Sequence, residues 1–270
     1  MAATTRIESG TERVISRCEG AIGWLVLNNP ARHNALSLVM YGAIERVIAA
    51  FAADPQVRVI ILTGAGERAF VSGADISEFA EKRATPTQIA EYDALSERAS
   101  VALEAVAKPT IAMIRGYCIG GGLDLALRTD LRIAAEDARF GVPAVRLGLG
   151  YGFSDVKRLV DIVGPAYAKE ILFTGRQFTA DEALAMGLVH RVLPVAALAD
   201  GVAKLAETLA GNAPLTIRAM KRSIAEAVKD PEARDVAAAT ALVEDCFDSD
   251  DYAEGRRAFM EKRKPDFRGR

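Results

Sequence analysis

The stretch Lys108-Pro-Thr-Ile-Ala-Met-Ile-Arg-Gly-Tyr-Cys-Ile-Gly-Gly-Gly-Leu-Asp124 holds a short apolar run, Thr110 to Ile114, and then three consecutive glycines. A helical pattern, Gly121 to Arg128, follows directly, so the segment reads as strand, glycine turn, helix. Upstream, Val57 to Thr63 is nearly all β-branched residues or leucine, as in a strand covered on both faces. A helical stretch from Thr87 to Val106 separates the two runs, and Leu131 to Ala134 supplies another apolar run beyond the second helix. Strands alternate with helices through residue 135, which argues for an α/β fold. Residues 12–29 read as two short strands around Glu19-Gly20, the second from Ala21 to Leu27, ended by Asn28-Asn29-Pro30. A helix from Ser37 to Ala53 follows, with Val39, Ile44, Val47, Ile48 and Phe51 at helical spacing.

Beyond residue 154 the texture changes. Ser154 to Val163, Ala166 to Phe173, Ala180 to Met186, Val195 to Gly211, Ala213 to Lys229, Pro231 to Phe247 and Asp250 to Lys262 all read as helices. Only a short extended piece, Leu188 to Leu193, interrupts them. The expected organisation is a core over residues 1–200 and a helical region over residues 201–270.

Composition narrows the function classes. The 270 residues are 50% hydrophobic and 26% charged, as in a globular protein with a sizeable core. A formal net charge of −2 and a pI near 5.9 give no electrostatic reason to expect nucleic acid or an anionic membrane as partner. No apolar run is long enough to span a bilayer. The polar stretch Met1 to Arg13 lacks the apolar segment of a secretory signal. Cys18, Cys118 and Cys246 are scattered and odd in number, and His33 and His190 are the only histidines. The expectation is a reducing cytoplasm and no metal site. Acid/base chemistry then falls to carboxylates or tyrosine.

Four glycine clusters invite a functional reading. Gly64-Ala-Gly66-Glu-Arg-Ala69 imitates a dinucleotide fingerprint, but that motif needs an unbroken helix after it, and Phe70-Val71-Ser72-Gly73 breaks one. Ser72-Gly73-Ala74-Asp75-Ile76 and Gly120-Gly121-Gly122-Leu123-Asp124 each read as a loop between a strand and a helix. Glycines there leave backbone N–H groups pointing outward, and the helix dipole favours negative charge at such a place. Two such donors converging on one point form an oxyanion hole. Each cluster alone reads equally as a structural turn, as does the fourth, Gly148-Leu-Gly150-Tyr151-Gly152.

The order of these segments resembles the crotonase (enoyl-CoA hydratase/isomerase) superfamily. The matching pieces are Asn28-Asn-Pro-Ala-Arg-His-Asn-Ala-Leu36, Val59-Ile-Ile-Leu-Thr-Gly-Ala-Gly-Glu-Arg-Ala-Phe70, the 72–76 and 108–122 segments, Ala185-Met-Gly-Leu-Val189 and Phe259-Met-Glu-Lys-Arg-Lys-Pro-Asp-Phe267. The resemblance covers nearly the whole chain from about residue 12. It implies a spiral of ββα units, a C-terminal helical region used for trimer assembly, and often a hexamer of two trimers. It implies a coenzyme A thioester as ligand, with CoA part of the substrate and no free metal or redox cofactor. By motif position the oxyanion donors are the N–H groups of Ala74 and Gly121. Arg32, Ala35, Gly73, Asp75 and Ile76 border the CoA moiety, and Lys262, Arg263 and Lys264 are candidates for the CoA phosphates of a neighbouring subunit. Those three basic residues read equally as a solvated helix end.

Two positions depart from the family's hydratases, which set two glutamates around the thioester. The first position is Asp124, one methylene shorter. The second falls in Phe140-Gly-Val-Pro-Ala144, and Ala144 can neither give nor take a proton. Hydration uses one carboxylate for water and the other for the α-carbon, whereas one carboxylate suffices for isomerisation. Asp124 also suits the first turn of a helix for purely electrostatic reasons. Tyr151 is a replacement candidate, as hydrogen-bond donor or as packing, and Asp155 reads as a helix N-terminal acid. The leading expectation is an acyl-CoA lyase or isomerase, nominally an enoyl-CoA hydratase. The alternatives are a decarboxylase or isomerase using a single group, a CoA-binding scaffold with degenerate chemistry, and a dinucleotide oxidoreductase.

Overall fold

The computed structural model describes residues 7–270; the first six residues of the polar N-terminal stretch lie outside the described residues. The chain opens with the hairpin β1 (Val14–Glu19) and β2 (Ile22–Leu27), then α1 (Leu38–Ala53). A repeating unit follows. β3 (Val59–Gly64) and β4 (Ala69–Val71) lead to the short α2 (Phe79–Lys82) and the long α3 (Pro86–Ala105). β5 (Thr110–Ile114) and β6 (Tyr117–Ile119) lead to α4 (Gly121–Leu127), and β7 (Leu131–Ala135) and β8 (Arg139–Gly141) to α5 (Phe153–Thr174). The rest comprises β9 (Phe178–Thr179), α6 (Ala180–Ala185), β10 (Arg191–Leu193), α7 (Leu198–Ala210), α8 (Pro214–Ala227), α9 (Val236–Phe247) and α10 (Asp250–Glu261).

In each ββα unit the first strand joins one sheet and the second strand another. The large sheet runs β1-β2-β3-β5-β7-β10 and the small one β4-β6-β8-β9. Apart from the β1–β2 and β8–β9 edges, all pairings are parallel. The small sheet was not read from the sequence, because its strands are two or three residues long and too short to show a period.

The period-two geometry of β3 divides the interior. Ile60 and Leu62 face the main core with α1 and α3, and Val59 and Ile61 face a second cluster under Leu198, Val202 and Ala206 of α7. Both faces of β3 are therefore dry, which explains why it is apolar at successive positions. The two helices read at 154–163 and 166–173 are the two halves of α5, which meet at a kink where Gly164 takes φ 73 and ψ 166 just ahead of Pro165. Among the described residues no helix is long and apolar enough to cross a membrane.

The tail after α10 folds back. Both Asp251 carboxylate oxygens accept tail N–H groups, from Arg268 at 2.6 Å and Gly269 at 2.8 Å, and Glu254 accepts from Asp266 N–H at 3.0 Å. Arg58, just ahead of β3, donates to the Phe267 carbonyl at 2.5 Å.

α4 sits so close to β4 that a side-chain carbon on Gly122 would lie 2.4 Å from the Val71 carbonyl oxygen and 2.6 Å from its Cβ. Gly122→Ala is expected to lower unfolding free energy by about 1–3 kcal/mol in urea denaturation; an unchanged midpoint would show that α4 has room to move.

Candidate active site

Strand pairing brings Ala74 and Gly121 together. β4 and β6 are parallel neighbours with Val71 opposite Cys118, and β6 pairs on its other side with β8, Ile119 opposite Gly141. The segments that follow these strands, residues 72–76, 120–124 and 142–144, therefore leave from one edge of the small sheet. Carboxyl ends of adjacent parallel strands are where open α/β sheets place their ligands.

Leu36 sets the orientation of Ala74. The Leu36 N–H donates to the Gly73 carbonyl and the Asp75 N–H donates to the Leu36 carbonyl, each at 2.8 Å, forming an isolated parallel bridge centred on Ala74. A residue bracketed in this way turns its own N–H away from its bridge partner. The Ala74 nitrogen is 3.8 Å from where a side-chain carbon on Gly121 would stand. The sequence reading expected a helix after Ala74. Only one 3-10 turn, Ile76–Glu78, and the four-residue α2 follow. The bridge, not a helix dipole, aims this donor.

Gly121 opens α4, so its N–H has no intrahelical acceptor. The preceding Gly120 takes φ 55 and ψ −120, a conformation open to glycine, and its N–H is tied to the Gly141 carbonyl at 2.8 Å. Among the described residues no backbone carbonyl accepts from Ala74 or Gly121 N–H. The Tyr41 hydroxyl lies 3.6 Å from the same imagined carbon on Gly121. Tyr41 was not singled out in the sequence because it sits on the buried face of α1 among ordinary core positions.

Asp124 lies in the first turn of α4, three residues past Gly121. Burial pushes its carboxyl up to about 6; Arg128 opposes the rise and Asp155 adds to it. Tyr151 shares this environment. Burial raises its hydroxyl, Asp124 and Asp155 raise it further, and it is a neutral donor at physiological pH. Ala144 is buried in the 3-10 turn after β8, so a methyl group stands where the second carboxylate was sought.

On the other side of Ala74, Arg32 Nη1 contacts both Asp75 carboxylate oxygens at 2.9 and 3.2 Å. Burial alone would raise the Asp75 carboxyl, but hydrogen bonds from Ser77 and Arg32 outweigh it and hold the carboxyl below its ordinary value. Two residues expected to border CoA are thus bonded to each other, leaving the Arg32 guanidinium half-exposed. Ala35 is buried beside them and Ile76 is 60% exposed. Asn34 went unnoticed in the sequence and organises this loop. Fully buried at φ 57, it accepts from Asn29 N–H at 2.9 Å and donates to the Ala65 and Ala69 carbonyls at 2.9 and 2.7 Å. Lys264 is not brought to the other site residues of its own chain. It lies on the tail that reaches Arg58 at the opposite, amino end of β3. Arg263 is held by Glu254 and Glu261.

A family model described as enoyl-CoA hydratase/isomerase matches residues 17–270. The chain belongs to the enoyl-CoA hydratase/isomerase family. It is 36% identical to the short-chain-enoyl-CoA hydratase of Clostridium acetobutylicum, over 93% of this chain and 95% of that protein. It is also 36% identical to the crotonyl-CoA hydratase of Syntrophomonas wolfei, over 95% and 98%. A solved enoyl-CoA hydratase/isomerase family protein from Hyphomonas neptunium, titled as putative, superposes with TM-score 0.91 at 38% identity, covering 97% of this chain and 100% of that one. An enoyl-CoA hydratase/carnithine racemase from Magnetospirillum magneticum gives TM-score 0.90 at 38%, over 96% and 97%. Membership accords with the paired sheets and the spiral of ββα units.

Within this family member, Asp124 carries a stability signature. The fold disfavours its carboxylate form, so the stability associated with protonated Asp124 is complete below the ordinary value of 3.8 and lost as pH rises through about 6. Asp124→Asn removes that charge. Its melting temperature is expected to exceed the wild-type value at about pH 8, with the gap closing as pH falls through this window. An equal gap in acid and in base, measured by calorimetry, would contradict the burial of the charge.

Proposed function

We propose that the protein is an acyl-CoA-processing enzyme that holds a thioester carbonyl oxygen between the Ala74 and Gly121 N–H groups and moves protons at the acyl chain with Asp124. The observation that carries this reading is the convergence of two unengaged N–H groups and one protonatable carboxylate at the ends of adjacent strands. A thioester carbonyl gains negative charge when its α-carbon becomes an enolate carbon, and donors fixed in advance stabilise that charge without reorganising. Coenzyme A enters as part of the substrate, with Arg32, Ala35, Gly73, Asp75 and Ile76 along its path.

The first reaction to test is hydration of a 2-enoyl-CoA, the chemistry named for the relatives. With Ala144 in place of a second acid, Asp124 takes the proton from the attacking water and delivers it to the α-carbon. Tyr151 donates a hydrogen bond to the water or the acyl group. The second reading is isomerisation, favoured by the buried methyl of Ala144. Here Asp124 removes a proton from the α-carbon of a 3-enoyl-CoA and returns it to the γ-carbon. Both readings use the same oxyanion donors.

The proposed working form is a homotrimer, or a hexamer of two trimers, in the cytoplasm. Met220, Ile224, Val243, Phe247 and Phe259 are exposed on α8, α9 and α10, around a cavity of ≈ 790 Å³ between those helices. An apolar surface of this kind suits burial against other copies. Lys264 then meets CoA phosphates only across such an interface.

Crotonyl-CoA, followed by loss of the conjugated thioester absorbance, and a panel of 2- and 3-enoyl-CoAs separate the two readings. Asp124→Asn is expected to reduce turnover by about 100-fold or more while ester binding persists. Binding without any turnover across the panel would leave a CoA-ester-binding protein. Light scattering should give three or six times the monomer mass; a monomer would overturn the assembly.

A further inference from the structure

A buried guanidinium stands behind the proposed acid/base group. The Arg128 side chain is only 3% exposed and lies one turn beyond Asp124 on the same helix. Its Nη2 donates to Asp155 Oδ1 of α5 at 2.7 Å and its Nη1 to Glu104 Oε2 of α3 at 3.2 Å. Glu97 lies 3.9 Å from Nη2. Nε faces Asp124 Oδ1 at 3.5 Å and, among the described residues, has no hydrogen-bond partner of good geometry. Arg158, one turn beyond Asp155, also bonds Glu104.

We propose that Arg128 is the positioning residue for Asp124 and that Asp155, by anchoring the guanidinium from α5, governs how much of its charge reaches Asp124. This rests on the reading of Asp124 as the proton-transfer group. The physical case is one of competition. A guanidinium devoted wholly to Asp124 would lock it as a carboxylate, and one absent would leave a buried acid that cannot ionise. Asp155 holds the nearer bond and leaves Asp124 the longer one, so the carboxyl can both accept and release a proton. A helical i,i+4 ion pair needs neither the burial nor the α5 partner.

The groups facing Asp124 are Arg128 on α4, Asp155 and Arg158 on α5, Tyr151 ahead of α5, and Tyr41 on α1. Glu97 and Glu104 of α3 reach it only through Arg128. Four carboxylates therefore share two guanidinium groups here. Removing one charge of either sign moves Asp124 in a defined direction.

Two substitutions, Arg128→Gln and Asp155→Asn, are measured in the full chain. The acid limb of kcat/KM for whichever acyl-CoA is turned over should move up by about one pH unit in the first and down by a similar amount in the second. Loss of packing alone lowers kcat without moving the limb in opposite directions. Glu97→Gln, which removes an exposed and longer contact, should leave the limb near its wild-type position. If no acyl-CoA is turned over, the functional reading fails, and the inference is tested by stability linkage instead. The melting-temperature gap between each variant and its Asp124→Asn double variant should close at higher pH for Arg128→Gln and lower pH for Asp155→Asn. Limbs or gaps that stay at the wild-type pH, or move in the same direction, would overturn the proposal.

Discussion

The site depends on how closely two backbone segments approach at the ends of β4 and β6. Parallel pairing puts those ends side by side, but a ladder alone leaves the chains a full strand spacing apart, with helices still to be fitted. The gap closes because Gly122 lets α4 press on Val71 and because Leu36 bridges Ala74 from its other side. The Ala74 N–H then points away from Leu36, with no backbone acceptor among the described residues. An N–H left without a backbone acceptor in this way keeps its capacity to donate to a group from outside the chain. Asn34 stiffens the same corner: two of its hydrogen bonds tie the loop before Leu36 to Ala65 and Ala69 on either side of the β3–β4 turn, and a third closes the loop on Asn29.

Electrostatics around Asp124 follow from the same packing. α4 must lie on the small sheet to present Gly121, and this places its first turn in the interior. A carboxylate there is expensive unless partnered. Arg128, which caps the end of α4, is divided among acids on three helices. Asp124 is consequently pushed up to about 6, burial outweighing the pull of Arg128.

Much of the fold was legible in the sequence where elements were long or uniformly apolar. α1, α3 and the strands of the large sheet were read within a few residues, because burial on both faces leaves no polar interruptions in β3. The small sheet escaped notice, since strands such as Ala69–Val71 and Arg139–Gly141 carry no period and are defined by neighbours far along the chain. The glycine turns at Gly73 and Gly120 were visible, but their convergence was available only through resemblance. Arg128 and Tyr41 were invisible for different reasons. The first looked like an ordinary helix-end cation and the second like core packing, and their roles exist only once α3, α5 and Gly121 are placed beside them. Asp155 was read as a helix N-terminal acid, which it is, but its bond to Arg128 joins residues 27 positions apart.

The returning tail sets an order of events during synthesis. The three strands that carry the site are complete once residue 144 has emerged, and their contacts can begin to form while the rest of the chain is still being made. The bond between Arg58 and the Phe267 carbonyl joins residues 209 positions apart, so Arg58 waits for nearly the whole chain before this partner exists. A nascent chain therefore has β4, β6 and β8 in hand long before the amino end of β3 gains its tail contact.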